Sequence, residues 1–118
     1  MSDIEPIFDE ELLEDLKSLA DEGEILPMAL YAKFIETTEE RLGQIKKYQQ
    51  TNNFEEIKNI AHSLKGSSHN LAAKRMGNAA SCLERASSEQ NATLSEQYLQ
   101  LLENEYQLVK DEIQRMIR

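Results

Sequence analysis

The feature that most constrains this chain is an apolar repeat at helical spacing, running almost from end to end with only short polar interruptions. A first, short helix is predicted from about Asp9 to Ala20, on the stripe Phe8, Leu12, Leu16 and Leu19, with Gly23 just past it as a stop. Pro27 is suited to the first position of a second helix, which reaches about Gln50 on Tyr31, Phe34, Ile35, Thr38, Leu42, Ile45 and Tyr48. Thr51, Asn52 and Asn53 break the pattern, and Asn53 with Glu56 three residues on resembles a capping pair.

A third helix is expected from Phe54 to about Leu71 and a fourth from about Lys74 to Ser87. The fourth carries Met76, Ala79, Ala80, Leu83 and Ala86, small enough in the main to let helices approach closely. After the polar stretch from Ser88 to Ala92, Thr93 and Glu96 read as a capping box for the last helix. Its stripe is Tyr98, Leu101, Leu102, Leu108, Val109, Ile113, Met116 and Ile117, carrying the helix to the chain end. The expected fold is all-α: an antiparallel four-helix bundle with a short N-terminal cover helix, one domain over residues 1–118. Starting at Met1 with a self-contained helix set, the chain is expected to stand alone.

Composition narrows the function classes. The chain has 118 residues, room for one modest core, and a net charge of −9. An acidic protein lacks the basic footprint that nucleic-acid binding needs. No run of 18 apolar residues is present, so no membrane span is expected. The acidic start lacks a secretion signal's basic and apolar regions, and a single cysteine, Cys82, cannot form an internal disulfide. A monomer in the cytoplasm is the expectation. The charge is nonetheless uneven. Residues 1–24 hold ten acids against Lys17, whereas residues 54–85 hold five bases against three acids. A locally basic patch suits a small anionic group or an acidic partner pocket.

On a helical wheel at about 100° per residue, Phe54, Ile57, Ala61, Leu64, Ser68 and Leu71 of the third helix share one side, with Ile60 and Ser67 flanking. Glu55, Lys58, Asn59, Lys65, Gly66 and His69 gather around His62 on the other. Most histidines placed in this way are solvated surface residues. His62 differs by its company. Gly66 lies one turn along the same face, where a mid-helix glycine costs about 1 kcal/mol against alanine. That cost is returned if something must approach the imidazole closely. Lys65 is within reach to neutralise anionic oxygens of a phosphoryl group on the ring.

The segment His62-Ser63-Leu64-Lys65-Gly66-Ser67-Ser68, followed by Leu71 and Ala73, resembles the signature of histidine-containing phosphotransfer domains. In that signature a histidine is followed by any residue, Leu, Lys, Gly and two small residues, with a Leu nine positions after the histidine. The resemblance covers nearly the whole chain. It implies a phosphorelay intermediate in which His62 accepts a phosphoryl group from a receiver-domain aspartate, or a hybrid kinase, and passes it to a response regulator. Lys65 then assists electrostatically, Gly66 gives access, and Lys58, Asn59 and His69 form the rim of the partner contact. Family members place a polar residue of the next helix against the histidine ring. The matching position here is Glu84, either as acceptor of the Nδ1 proton or as a solvated acid near Arg85. Members usually have glycine directly after the Leu of the signature. This chain has Ala72, and a turn of altered geometry or negative φ is expected there.

The resemblance implies partners, namely receiver domains of response regulators and a sensor or hybrid histidine kinase, with the receiver supplying Mg²⁺. It implies no cofactor on this chain and no independent turnover. No glycine-rich phosphate loop is present to bind ATP in cis. The alternative is a non-catalytic helical adaptor that binds receivers or kinases through the same face. A metal-dependent bundle enzyme is disfavoured, because His62 and His69 stand two turns, about 10.5 Å, apart along the helix. Cys82 reads as a small packed residue rather than a nucleophile.

Overall fold

The computed structural model describes residues 5–117, so Met1, Asp3 of the acidic run and the final residue lie outside it. Five helices follow in order: α1 Glu10–Lys17, α2 Met28–Gln49, α3 Phe54–Asn70, α4 Lys74–Ser88 and α5 Ala92–Met116. Cross-contacts fix their directions. Tyr31 Oη near the start of α2 donates to the Leu71 carbonyl just past α3, and Gln49 at the end of α2 donates to the Ser95 carbonyl at the start of α5. His62 of α3 meets Glu84 of α4. The four long helices therefore form an antiparallel bundle, with α1 as the cover.

Burial follows the predicted stripe closely in the three middle helices. Tyr31, Phe34, Thr38, Leu42 and Ile45 are buried in α2, and Ile57, Ala61, Leu64 and Ser68 in α3. In α4, Met76, Ala79, Ala80, Leu83 and Ala86 are buried together with Gly77. Small residues on both sides bring α3 and α4 into close apposition, and this seam carries His62.

The outer helices differ from expectation. In α1 the buried leucines are Leu13 and Leu16, while Leu19 is 62% exposed beyond the helix end at Lys17. Here Phe8 anchors the cover one residue ahead of its Asp9 cap. Gly23 has φ +87° but lies in the loop, six residues past the helix, and is not its stop. Pro27 is the cap of α2 rather than its first residue.

In α5 the core face is Leu99, Leu102, Tyr106, Val109 and Ile113, whereas the predicted Leu101, Leu108 and Ile117 are exposed. The stripe includes a charge, Glu105, which hides it from a hydropathy reading. Arg75 of α4 donates to Glu105 Oε1 at 2.8 Å and to the Glu5 carbonyl at 3.1 Å. The capping box at Thr93 is also not used. Asn91 caps α5 instead, its side chain accepting from the Leu94 N–H, and the helix begins at Ala92.

The turn from α3 to α4 overturns the expectation for Ala72, whose φ is +68°. Its N–H donates to the His69 carbonyl, and the Ala73 N–H donates to the Ser68 carbonyl at 2.8 Å. These two bonds make a Schellman motif, which satisfies carbonyls the helix end would otherwise leave unpaired. Alanine tolerates the left-handed region here because the residue is buried in the core, only 1% exposed, and its carbonyl accepts from the Asp9 N–H at 2.7 Å. Packing holds what local sterics disfavour.

The seam between α2 and α5 is built differently from that between α3 and α4. Gln49 meets Ser95, Lys46 meets Glu103 at 3.0 Å, and Glu39 accepts from both Tyr106 Oη and Lys110 Nζ at 2.7 Å. Between these polar clasps the helices part into a groove of about 330 Å³, with Gly43, Leu42 and Tyr106 among its walls. The Glu39 carboxyl is held below the usual carboxylate range, first by the Lys110 and then by the Tyr106 hydrogen bond.

Candidate functional site

His62 lies in the middle of α3 on the face turned away from the core, and its side chain is 66% exposed. Its Nδ1 lies 2.8 Å from Glu84 Oε2, while Lys65 Nζ lies 2.9 Å from Glu84 Oε1. One carboxylate thus joins two residues of the neighbouring helix. Register explains the meeting: antiparallel α3 and α4 bring position 62 opposite position 84 and position 69 opposite position 77.

The charge on Glu84 determines the proton on His62. Partial burial in the seam pushes the carboxyl upward, but the Lys65 and His62 hydrogen bonds and the charge on Lys65 outweigh it. The carboxyl is held below its usual range and is ionised at neutral pH. An ionised carboxylate only accepts hydrogen bonds, so Nδ1 is the donor. In its neutral form the imidazole keeps its proton on Nδ1, which leaves a free lone pair on Nε2, on the opposite edge of an exposed ring. The arrangement presents a nucleophile without needing a base to remove a proton first.

Gly66 lies one turn beyond His62 and is exposed, and a Cβ added there would meet nothing within 4 Å. The space beside the ring is open. Lys58 is half-buried and Asn59 exposed on the preceding turn, neither hydrogen-bonded to His62 in this structure. His69 is exposed and its ring lies flat over Gly77 of α4, where an added Cβ would come within 2.6 Å of Nε2. Sequence reasoning missed Gly77. Its signal was a glycine inside the small-residue helix, seven positions from Glu84 and hence on the same face.

Among the described residues no three His, Cys, Asp or Glu side chains come together as a metal site would need. No helix among them is long and apolar enough to cross a membrane.

Three comparisons bear on this geometry. No curated protein sequence matches the chain significantly. Solved structures do. The histidine-containing phosphotransfer protein MtHPt2 from Medicago truncatula is similar at 25% identity and a TM-score of 0.84, covering 93% of this chain and 76% of that one. The histidine-containing phosphotransfer protein B from Pseudomonas aeruginosa is similar in fold, with 24% identity, a TM-score of 0.82, and coverage of 95% and 98%. A putative histidine-containing phosphotransfer protein from rice shares the fold at 19% identity and a TM-score of 0.83, covering 93% and 80%. The family model of the Hpt domain matches residues 29–115, which include all of α3 and α4 and thus the His62–Glu84 contact. With that match over most of its length, the chain belongs to the Hpt family, the histidine phosphotransfer intermediates of two-component phosphorelays.

Proposed function

We propose that His62 is the phosphoryl-carrying residue of this phosphorelay intermediate. It receives the group from a receiver-domain aspartate or a hybrid kinase and passes it to a response regulator. The observation that carries the reading is the 2.8 Å contact from Nδ1 to Glu84 Oε2, which leaves Nε2 as the attacking atom on a ring 66% exposed.

As Nε2 attacks, an N–P bond forms, the aspartyl O–P bond breaks, and the electron pair leaves with the aspartate carboxylate. The ring becomes positively charged and keeps its Nδ1 proton, with Glu84 as counter-charge. In the second transfer the N–P bond breaks and its electron pair returns to Nε2. The leaving group is again neutral imidazole, so neither direction requires a proton to move. Gly66 provides clearance for the incoming domain, and Lys58, Asn59 and His69 form the rim it meets. Lys65 and Glu84 support the histidine. The receiver rather than this chain supplies Mg²⁺, and the chain, a monomer in the cytoplasm, has no turnover of its own.

The test is incubation with a phosphorylated receiver domain, scored for acid-labile, base-stable phosphate on this chain. Label is expected on the wild type and absent from His62→Ala. Label that persists in the variant would refute the assignment.

A further inference from the structure

We infer that Gly77 is a positioning residue for transfer at His62. It beds the ring of His69 on α4 and so keeps that ring out of the open space at Gly66, through which a receiver reaches the acceptor. This role deepens the proposed function and rests on His62 as the phosphoacceptor.

The geometry at position 77 carries it. A Cβ added to Gly77 would stand 2.6, 2.7 and 2.8 Å from Nε2, Cε1 and Cδ2 of His69, its three nearest atoms. Near-equal distances to three adjacent ring atoms place the glycine under the face of the imidazole and not at its edge. Gly77 is buried, whereas His69 above it is exposed. These distances are far inside van der Waals contact, so any side chain at position 77 must move the ring. The atoms in the way are the free end of a rotatable side chain, and the ring can move without α3 and α4 parting.

Helix geometry decides where the ring goes. In a helix a histidine has two of the three staggered χ1 positions open, and both aim the side chain back over the preceding turn. The neighbours there are Lys65 and Gly66, four and three residues before His69. Lys65 lies on the side of α4, where it holds Glu84 at 2.9 Å. Gly66 lies on the other side, with nothing within 4 Å of an added Cβ. A ring lifted off α4 therefore settles over Gly66, between its own turn and His62. The clearance beside His62 thus depends on a glycine in each helix. Gly66 contributes no side chain of its own, and Gly77 keeps that of His69 from filling the gap.

The experiment combines NOEs of the His69 ring in the unphosphorylated full chain with transfer rates measured against the concentration of a phosphorylated receiver. In the wild type the ring protons should show NOEs to the Gly77 Hα protons. In Gly77→Ala, NOEs to the Gly66 Hα protons should replace them. The half-saturating receiver concentration should then rise about tenfold, the worth of ordering one side chain on docking, with the maximal rate unchanged. Adding His69→Ala to Gly77→Ala should return half-saturation to that of His69→Ala alone, since the glycine matters only while the ring is present.

A ring that stays over position 77 in Gly77→Ala would overturn the inference, as would a ring that moves without changing half-saturation. A double variant as poor as Gly77→Ala, or a Gly77→Ala chain that does not fold, would overturn it too, by assigning the glycine to the packing of α3 on α4. The NOEs need no phosphate. Absence of label on wild-type His62 would therefore count against the acceptor assignment, while the NOEs would still decide where the His69 ring lies.

Discussion

Filling the space beside the histidine should make this protein more stable and worse at its function. Gly66 is exposed in the body of α3, and a side chain there meets nothing within 4 Å. With no clash and no lost contact, Gly66→Ala gains the helix propensity difference of about 1 kcal/mol. For a chain of this length that raises the melting temperature by about 4 °C. Gly66→Gln should gain nearly as much, since glutamine is a good helix former. Its longer side chain, however, reaches across the turn towards His62, where an incoming receiver must bring its aspartyl phosphate in line with Nε2. Displacing that group by about 1 Å costs on the order of 10²-fold in rate. Gly43 provides the control. It too is an exposed glycine within a helix with open space around it, but on α2, facing the groove towards α5. Gly43→Ala should stabilise as much as Gly66→Ala and leave transfer unchanged. Thermal melts by circular dichroism and rapid-quench transfer from a phosphorylated receiver measure both quantities. If Gly66→Gln transfers at the wild-type rate, or Gly66→Ala is less stable than Gly43→Ala by more than about 1 kcal/mol, the clearance argument is wrong.

At the turn, Ala72→Gly relieves a left-handed alanine worth about 1–2 kcal/mol but removes a buried methyl worth about 0.8 kcal/mol and loosens the unfolded chain by about as much again. The net change should stay within about 1 kcal/mol in urea denaturation, and a loss above 2 kcal/mol would show that the methyl's packing was underestimated. Arg75→Met strands the buried Glu105 carboxylate and should cost about 3 kcal/mol, most of it recovered by Glu105→Leu in the same chain; a cost below 1 kcal/mol refutes the pairing argument. Glu84 has its carboxyl held below the ordinary 4.5, so its contribution to stability is complete above that pH and is lost as the pH falls through the lower folded value. The wild type minus Glu84→Gln stability difference should therefore be positive at pH 7 and shrink on acidification below 4.5, and a difference that grows instead would contradict the sign.

The parts of the fold legible in the sequence were those where one stripe had no competitor. In α3 the apolar residues define a single side, and His62 falls opposite it, so the core and the exposed position of His62 could be read from spacing, while its proposed role rested on the resemblance of its segment to the phosphotransfer signature. In α5 they do not. Leu101, Leu102 and Leu108 spread over adjoining faces, and the true stripe contains Glu105, whose charge is matched by a residue thirty positions away on α4. No local reading finds that partner. Asn91 outcompeted Thr93 as cap because Gln90 takes a positive φ of 54°, which ends the preceding turn one residue before Asn91. Ala72 shows the same limit, since its left-handed backbone is held by Asp9 and the surrounding core, contacts that the turn residues themselves do not announce. Within the candidate site, His62 and Gly66 were named from the resemblance of their segment to the phosphotransfer signature. The bridging by Glu84 required the register of two helices, and the glycine under His69 required it too.

The contrast between the two seams has a bearing on the order in which the molecule opens. Where α2 meets α5, exposed ion pairs and side-chain hydrogen bonds span a groove, and such links yield readily to salt and to brief fraying. Where α3 meets α4, alanines and a glycine of α4 pack against α3 along the middle of the seam, which opens only towards its end beside Phe54, Lys58 and Ser87. Amide protons of α2 should exchange with solvent through partial openings that leave those of α3 and α4 protected. His62 then belongs to the last hairpin to come apart, and a molecule with its second helix loosened still presents the proposed phosphoacceptor intact.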